Sequence, residues 1–409
     1  MNYSKKTLLA SLICGVVAST GAQAEESSSF VDTIKDGKAT LDFRFRIEDV
    51  SQDALPDDLS ATATTLRTRL NFQTGTYNNF AGFIEFDHVQ EVDEVDYDTV
   101  PGAPTFAGAA TVIDPEGNDL NQAYLSYTSA STVYKYGRQR ILLDNQRFVG
   151  GVGWRQNEQT YDGFSFSNKS FAKLNIFGAY VYNVNRIFGD QSPAGDHKNK
   201  SVLLNGKYSF SEATSLTGYY YGIDNEDATA FSTDTLGLRY AGKSGGFGYT
   251  AEIATQSEAG DSPLSYSATY TLLEGAYSVG GFNFKAGYEV LGADGADGVF
   301  ITPLATLHAF QGWTDKFLGG GSGNIAGGIE DLYFNIGTKF GPVTTGLVYH
   351  DLSSNDSGVS GMDALGSEIG IVFSGKAGPV GLLAKYATYS ADDFGTDTEK
   401  LWLMASITF

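Results

Sequence analysis

Cysteine is almost absent from this chain of 409 residues, and the single one, Cys14, lies in a short apolar segment near the N-terminus. Without a second cysteine there is no disulfide framework, and a catalytic thiol is excluded from everything after that segment. Long hydrophobic runs are also missing, because no segment after Val17 approaches the ~20 apolar residues of a membrane-spanning helix. These absences exclude a disulfide scaffold and a helical membrane protein.

Histidine is scarce as well, with only four residues in the chain. So few ligating side chains predict no metal site, and no motif predicts a cofactor. His350 and Asp351 could form half of an acid–base pair, but no serine nucleophile or second carboxylate pair can be assigned to them from spacing. We therefore expect no enzymatic activity, and a catalytic protein built around these two residues is kept as an alternative.

The N-terminus has the three parts of a secretory signal. Lys5 and Lys6 form a basic region, residues 8–17 form a short apolar region, and Ala22-Gln23-Ala24 offers a cleavage site of small residues. We predict that residues 1–24 are a signal peptide and that residues 25–36 are a short polar lead-in in the periplasm. The remaining residues, 37–409, show no linker or change of composition, which indicates one domain.

The chain is strongly acidic. Removal of the two lysines of the signal from the 27 basic residues leaves 25 against 48 acidic residues, a net charge of about −23. Such a balance argues against nucleic acid as a partner, because nucleic-acid binding needs a basic surface. Most of the acidic residues fall in predicted loops, where a solvated acidic surface is the simplest interpretation.

The segment from Leu41 to Glu48 alternates strictly between large hydrophobic residues and charged ones, and residues 66–72 repeat the pattern. Successive side chains of a strand point to opposite faces, so each segment has one apolar face and one ionic face. The pattern recurs along the whole chain, and no second apolar layer is evident that could cover these faces. It is typical of a barrel that is apolar toward lipid and polar toward a water-filled lumen.

The last strand supports a membrane barrel. Leu401, Leu403, Ala405, Ile407 and Phe409 alternate up to the final residue. This pattern resembles the C-terminal signal by which outer-membrane proteins are recognised by the barrel-assembly machinery. We expect Phe409 to contact that machinery, and we expect outer-membrane lipid and lipopolysaccharide to surround the barrel.

Turn residues divide residues 37–409 into about eighteen strands, joined alternately by short turns and longer segments, of which 292–328 is the longest. All nine prolines fall in the predicted turns and loops, as expected because proline removes a donor from the ladder. The sequence therefore predicts an all-β protein, a transmembrane antiparallel up-and-down β-barrel in the outer membrane of a Gram-negative cell. Short periplasmic turns and long extracellular loops would join its strands.

Arginine is concentrated in the first part of the chain: all ten arginines lie at or before Arg239. The candidates for the lumen wall and for solute binding are Arg44, Arg46, Arg67, Arg69, Arg138, Arg140, Arg155, Arg239 and Lys285. Arginine or lysine side chains arranged in a ring around a pore select anions. Arginine also binds a carboxylate with two parallel hydrogen bonds. The alternative is that these arginines pair with Glu48, Glu85 and Asp87 and only hold the strands in register.

Several segments, in order along the chain, resemble outer-membrane porins of the alginate-export family. They are NQAYL (121–125), GRQR (137–140), WRQNEQTYD (154–162), NRIFG (185–189), KAGYEVLG (285–292) and TPLATLHAFQGWTD (302–315). The resemblance implies an eighteen-stranded anion channel whose lumen arginines guide a uronate chain. It also implies that residues 292–328 form a folded loop at or in the pore, with Thr302, His308, Trp313 and Asp315 as candidate residues of that loop.

The predicted periplasmic turns are all short, whereas the alginate secretion porin is associated with a long periplasmic turn that gates it. Passive passage of small acidic solutes or uronate-type saccharides is therefore the leading hypothesis. A general, non-selective porin, in which the arginines pair with lumen acids, is the alternative.

Overall fold

The computed structural model describes residues 29–93, 96–99, 106 and 108–409. The predicted signal peptide, residues 25–28 and two of the nine prolines lie outside the described residues. The seven described prolines all lie outside strands, as predicted. In the described part of the chain, no helix is both long and apolar enough to cross a membrane.

Eighteen strands form one antiparallel sheet that closes on itself, because the first strand pairs with both the second and the last. The strands of the barrel are β1 (Lys38–Gln52), β2 (Leu59–Gln73), β3 (Phe80–Glu91), β4 (Gly117–Ser129), β5 (Thr132–Gln139), β6 (Thr160–Phe171), β7 (Leu174–Asn185), β8 (Asp196–Ser209), β9 (Thr214–Ile223), β10 (Thr233–Ser244), β11 (Phe247–Glu258), β12 (Ser267–Val279), β13 (Phe282–Leu291), β16 (Ile329–Phe340), β17 (Val343–Ser354), β18 (Ala364–Ala377), β19 (Val380–Ala391) and β20 (Thr398–Thr408). The predicted barrel and its strand number are confirmed.

Shorter elements lie at the ends of the barrel. They are the helices α1 (Phe30–Lys35) and α2 (Ser357–Ser360), the 3-10 turns Thr229–Phe231, Leu307–Ala309 and Gly319–Gly321, and a two-stranded hairpin of β14 (Ala293–Asp294) and β15 (Gly298–Val299). Helix α1 begins at the N-cap Ser29, and the carbonyl of Thr33 accepts the N–H of Gly75. In this helix Phe30, Val31 and Ile34 are all exposed.

The two faces of each strand differ as the alternation predicts. On β1, Arg44 and Arg46 are buried on the inner face, whereas Phe43 and Phe45 lie on the outer face. On the opposite side of the barrel, Leu236 is 63% exposed on the outer face of β10. Closure satisfies the backbone donors and acceptors within the sheet, which lipid cannot do. The exposed hydrophobic side chains therefore form a lipid-facing surface.

Short turns join the strands at the end that carries the chain termini. Most have two residues between strands, and Gly280 and Gly281 have φ values of 60° and 86°, as a type I′ hairpin turn requires. The connection 74–79 is longer than predicted. At the other end lie the connections 53–58, 92–116, 140–159, 186–195, 224–232, 259–266, 292–328, 355–363 and 392–397. The alternation of short turns and mostly longer loops is confirmed.

Two of the longer connections fold into the barrel: residues 140–159, here loop A, and residues 292–328, here loop B. They are joined to each other, because Gly150 donates its N–H to the carbonyl of Leu304 at 2.8 Å and Thr306 donates to Gln146 at 3.0 Å. Phe148 of loop A and Phe300 of loop B pack against Tyr219 and Tyr270 of the inner wall, among other buried hydrophobic residues.

The interior is therefore not wholly polar. The predicted polar lumen face holds for only part of the wall. From β6 to β13 the inner wall is apolar near the long loops, where loops A and B cover it. A second apolar cluster joins Trp154 and Trp313 of the two loops to Trp402 of β20. Alternation alone could not show this, because the covering residues come from distant loops.

Candidate functional site: the arginine wall and the inward loops

Two arginines face each other across the first two strands, since Arg44 of β1 is the register partner of Arg67 of β2. Like charges directly opposite in a sheet are destabilising. Arg44 has no carboxylate within 4.0 Å among the described residues. Instead, its Nε donates to Oε1 of Gln156 at 2.9 Å, and its other nitrogens donate to the carbonyls of Gly153 and Arg155. Loop A is thus bound to the wall through its own backbone.

A buried ionic network lies next to this pair, nearer the end of the barrel that carries the long loops. Glu48 accepts from Arg46 at 2.5 Å and from Arg155 of loop A at 2.9 Å. The second terminal nitrogen of Arg155 donates to Asp315 of loop B at 2.9 Å, and Asp315 also meets Lys400 of β20 at 3.2 Å. One chain of alternating charges therefore joins both loops to the barrel wall.

The Asp315 carboxyl shows the electrostatic strength of this network. Burial alone would raise its pKa, but His308, Lys400 and Arg155 together hold that pKa well below its usual range. His308 donates from Nδ1 to Asp315 at 2.7 Å, and burial lowers the pKa of its ring to about 3. The ring is therefore neutral at physiological pH, which leaves its Nε2 to accept from Lys385 at 2.7 Å.

The Lys385 ammonium lies in a box of aromatic rings. It is 3.9 Å from the ring centre of Trp313, 4.3 Å from that of Trp154 and 5.0 Å from that of Trp402. Cation–π attraction of this kind is strongest for tryptophan and for desolvated cations. Trp313, His308 and Asp315, which the sequence placed in a pore loop, are thus brought together with the wall, whereas Thr302 lies apart and accepts from Arg147 at 3.0 Å.

A second group of paired charges lies on β2 and β3 beside loop A. Arg69 holds both oxygens of Asp87, at 2.6 and 2.5 Å, and its third nitrogen lies 2.6 Å from Glu158. Arg140 donates to both Glu158 and Glu85. Burial would raise the pKa of Glu158, but Arg69, Arg140 and Arg67 hold that pKa well below its usual value.

Arg138 differs from the other candidates. It shares its face of β5 with Tyr134 and Tyr136, of which Tyr136 is among the most exposed hydrophobic residues. Its guanidinium pairs with Asp162 at 2.9 Å, and Asp162 lies between the inward-facing Tyr161 and Gly163 of β6. The prediction that Arg138 lines the lumen is wrong, because β5 places it on the outer face near the loop end of the barrel.

The remaining candidates lie on the other side of the barrel. Arg239 of β10 pairs with Glu252 of β11, and Lys285 of β13 meets Glu274 of β12 at 3.0 Å. Arg147, which was not among the sequence candidates, is fully buried and pairs with Glu289 at 2.8 Å. The sequence could not indicate this pair, because loop A carries Arg147 across the lumen to β13.

Lys400 and Glu158 also belong to these networks but were not among the candidates from the sequence. Lys400 has a usable signal, since it alternates with the outward Leu401 and Leu403 and so falls in the inward register. Glu158 has none, because it lies in a loop. In the described part of the chain, no group of three or more His, Asp or Glu side chains is arranged to hold a metal ion.

The acid–base pair suggested by His350 and Asp351 does not form. His350 faces inward, and its Nδ1 lies 2.9 Å from Asp331 of β16, whereas Asp351 points outward and is exposed. Neighbouring residues of a strand cannot share a face, which is why adjacency in sequence misled. The His350–Asp331 pair is buried beneath Tyr333, in a wall of the barrel.

Solved structures of porins have the same fold. OpdK from Pseudomonas aeruginosa, crystallised with vanillate, has a TM-score of 0.70 at 13% identity over 92% of this chain and 99% of its own. OccAB4 from Acinetobacter baumannii has a TM-score of 0.68 at 13% identity, with coverages of 91% and 98%. OpdL from Pseudomonas aeruginosa has a TM-score of 0.68 at 16% identity, over 92% of this chain and 99% of its own. At these identities the likeness shows the fold alone.

No curated protein matches the chain by sequence. A family model described as "Alginate export" matches residues 38–289, which is more than half of the chain. The structure agrees with that match, because the chain forms a closed eighteen-stranded barrel. Its outer surface is apolar and faces lipid, and part of its inner wall is ionic. The chain therefore belongs to the alginate export family and is an outer-membrane porin of a Gram-negative cell, not an enzyme.

Proposed function

We propose that this porin gives passive, anion-favouring passage to small acidic solutes, with uronate-type, alginate-like saccharides as the favoured class. The solute would enter by charge attraction and leave because each contact is weak and several are available in sequence. No cofactor is needed for such passage. The short periplasmic turns support diffusion of small solutes rather than secretion of a polymer.

One observation carries the proposal: in most of the inward-facing ion pairs that reach the lumen, the cation is the more exposed partner. Arg67–Asp42 is the exception, with the carboxylate 20% exposed against 6% for the guanidinium. The side chain of Arg140 is 25% exposed against 3% for Glu85. Arg239 is 15% exposed against 1% for Glu252, and Lys285 is 39% exposed against 22% for Glu274. In these three pairs the carboxylate lies behind the cation, so a solute that passes them meets guanidinium or ammonium groups first.

The geometry of these cations suits carboxylates. A guanidinium offers five N–H donors in a planar fork, and a pair with one buried carboxylate leaves further donors for a second one. Arg44 adds a positive charge with no carboxylate partner in the described part of the chain. Vanillate, with which OpdK was crystallised, is itself a small carboxylate, which supports the same solute class.

The second candidate is a general, non-selective porin. Eight of the ten arginines have a carboxylate within 4.0 Å, which compensates most of the positive charge of the wall. If the carboxylates fully cancel the positive charge that a solute in the lumen meets, the ion pairs serve only to hold the loops and strands in place. The two candidates differ in whether the exposed cations attract anions.

Charge reversal of the exposed cations tests the proposal. We expect the double variant Lys285→Glu with Arg239→Glu to reduce or invert the anion preference, because it replaces two lumen cations without touching the buried network around Glu48. The zero-current potential under a KCl gradient measures this preference. Arg138→Glu is the matched control, since its side chain lies outside the lumen. Equal potentials for the double variant and the wild type would argue for the general porin.

A further inference from the structure

Two of the ten arginines have no carboxylate partner within the described residues: Arg44 and Arg186. Arg44 is occupied by three acceptors of loop A. Arg186 has no such role in the arginine wall. It is the first residue after β7 and opens the extracellular connection 186–195, at the mouth of the barrel.

The Arg186 guanidinium is held in place but is poorly satisfied. Its carbon lies 4.8 Å from the ring centre of Phe188, so that the aromatic ring supports one face of the group. Its only side-chain hydrogen-bond contact among the described residues is with Nε2 of His197, at 3.4 Å. A guanidinium has five donors, and most of these are therefore available.

Gly321 of loop B lies directly beside this arginine. A Cβ atom added to Gly321 would lie 2.8 Å from Nη2 of Arg186, and Gly321 has a φ of 104°, which favours glycine. The same position lies 3.7 Å from the ring of Phe231. Arg186 thus lies where an extracellular loop meets the outer end of the loop that fills the lumen.

The charge of this site is uncompensated. Burial lowers the pKa of the Arg186 guanidinium to about 10, so the group is still charged at neutral pH. Among the described residues, no carboxylate forms an ion pair with it. A half-buried charge without a counter-ion is costly, and a bound anion would offset that cost. Asp196 and Asp227 act on the neighbouring His197 and would repel a ligand of high negative charge.

We propose that Arg186, with Phe188 and His197 beside it and Gly321 below it, forms an entry site that binds one carboxylate of an incoming solute at the extracellular mouth. The guanidinium would hold the carboxylate, and the faces of Phe188 and Phe231 would contact the apolar side of a sugar ring. This inference rests on the proposed function, because it names the place where an acidic solute first binds. It predicts that binding depends on the side from which the solute is added.

Full-length protein in a planar bilayer tests the entry site with glucuronate as the probe. Added on the loop side, glucuronate should interrupt the current in the wild type. In Arg186→Gln the apparent affinity should fall by about tenfold, the size expected for one lost charge-assisted contact. Arg186→Lys should keep part of the affinity, because it keeps the charge but not the fork. Lys198→Gln, a nearby change with no ion pair among the described residues, should have no effect.

The outcomes separate this site from the selectivity of the lumen. Equal glucuronate affinity in the wild type and Arg186→Gln, or equal binding from both sides, would overturn the entry site. A wild type without anion preference in the zero-current potential would overturn the proposed function instead, and a loop-side loss of binding in Arg186→Gln would still stand. Heat-dependent mobility on a denaturing gel shows whether each variant forms the barrel.

Discussion

Replacing Arg155 with alanine is expected to release loops A and B from the wall of the barrel. Arg155 is the link between Glu48 on β1 and Asp315 on loop B, at 2.9 Å from each. Breaking a buried pair by removing one partner costs about 3–5 kcal/mol, and we expect the lower end because Arg46 and Lys400 still face Glu48. The freed loops should leave a wider passage with a higher and noisier single-channel conductance.

Lys316→Ala is the matched control for this change. Lys316 follows Asp315 in loop B and joins no ion pair within the described part of the chain, so its loss should leave the conductance near the wild-type value. Thermal unfolding should show that the barrel of Arg155→Ala remains intact, because the eighteen-stranded ladder does not depend on the loops. A variant with wild-type conductance and noise would contradict the role given to the network.

Acid pH is expected to loosen the same loops in two stages. His308 has a pKa of about 3 in the folded protein, well below the usual value of 6.5, so protonation favours any state in which the ring is released. The free energy that holds loops A and B against the barrel wall should therefore fall as the pH drops from about 6.5 toward 3. The Asp315 and Glu158 carboxyls have pKa values held below their usual range, so their contribution is present above about pH 4 and is lost below it.

Conductance measured between pH 7 and pH 3 tests this expectation. The groups that face His308 are Asp315, Lys385 and Arg155, with Lys400 bound to the same carboxylate. Because Lys385 and Arg155 are cations, they oppose protonation of the ring. His308→Asn cannot titrate, so it should remove the change above pH 4 and keep the change below it. A wild-type conductance that is flat from pH 6.5 to pH 4 would contradict the first stage.

Much of the barrel could be predicted because its physical cause is local. The alternation of residues 41–48 follows from the two faces of a strand, and glycines such as Gly280 and Gly281 mark turns by their backbone freedom. The inward register of Arg44, Arg46, Arg67 and Arg69 followed from the same alternation. Arg138 was placed on the wrong face, because the tyrosines and glycine of β5 leave the alternation between polar and apolar residues ambiguous.

The contents of the lumen could not be predicted in the same way. The contacts of Arg155 with Glu48 and of Arg147 with Glu289 span more than a hundred residues of sequence. These contacts depend on the conformation of loop A, which no periodic pattern in the sequence indicates. The sequence also left open whether the arginines bind solutes or pair with acids. The structure shows that most of them pair, and the cation is the more exposed partner in the pairs of Arg140, Arg239 and Lys285 but not in that of Arg67.

We expect these exposed cations to make the channel prefer anions. The zero-current potential of the wild-type protein in a planar bilayer, under a tenfold KCl gradient at neutral pH, tests it most directly. An anion-selective channel should give a potential of the sign expected when chloride moves down its gradient faster than potassium. A potential near zero, or one of the sign given by potassium, would contradict it.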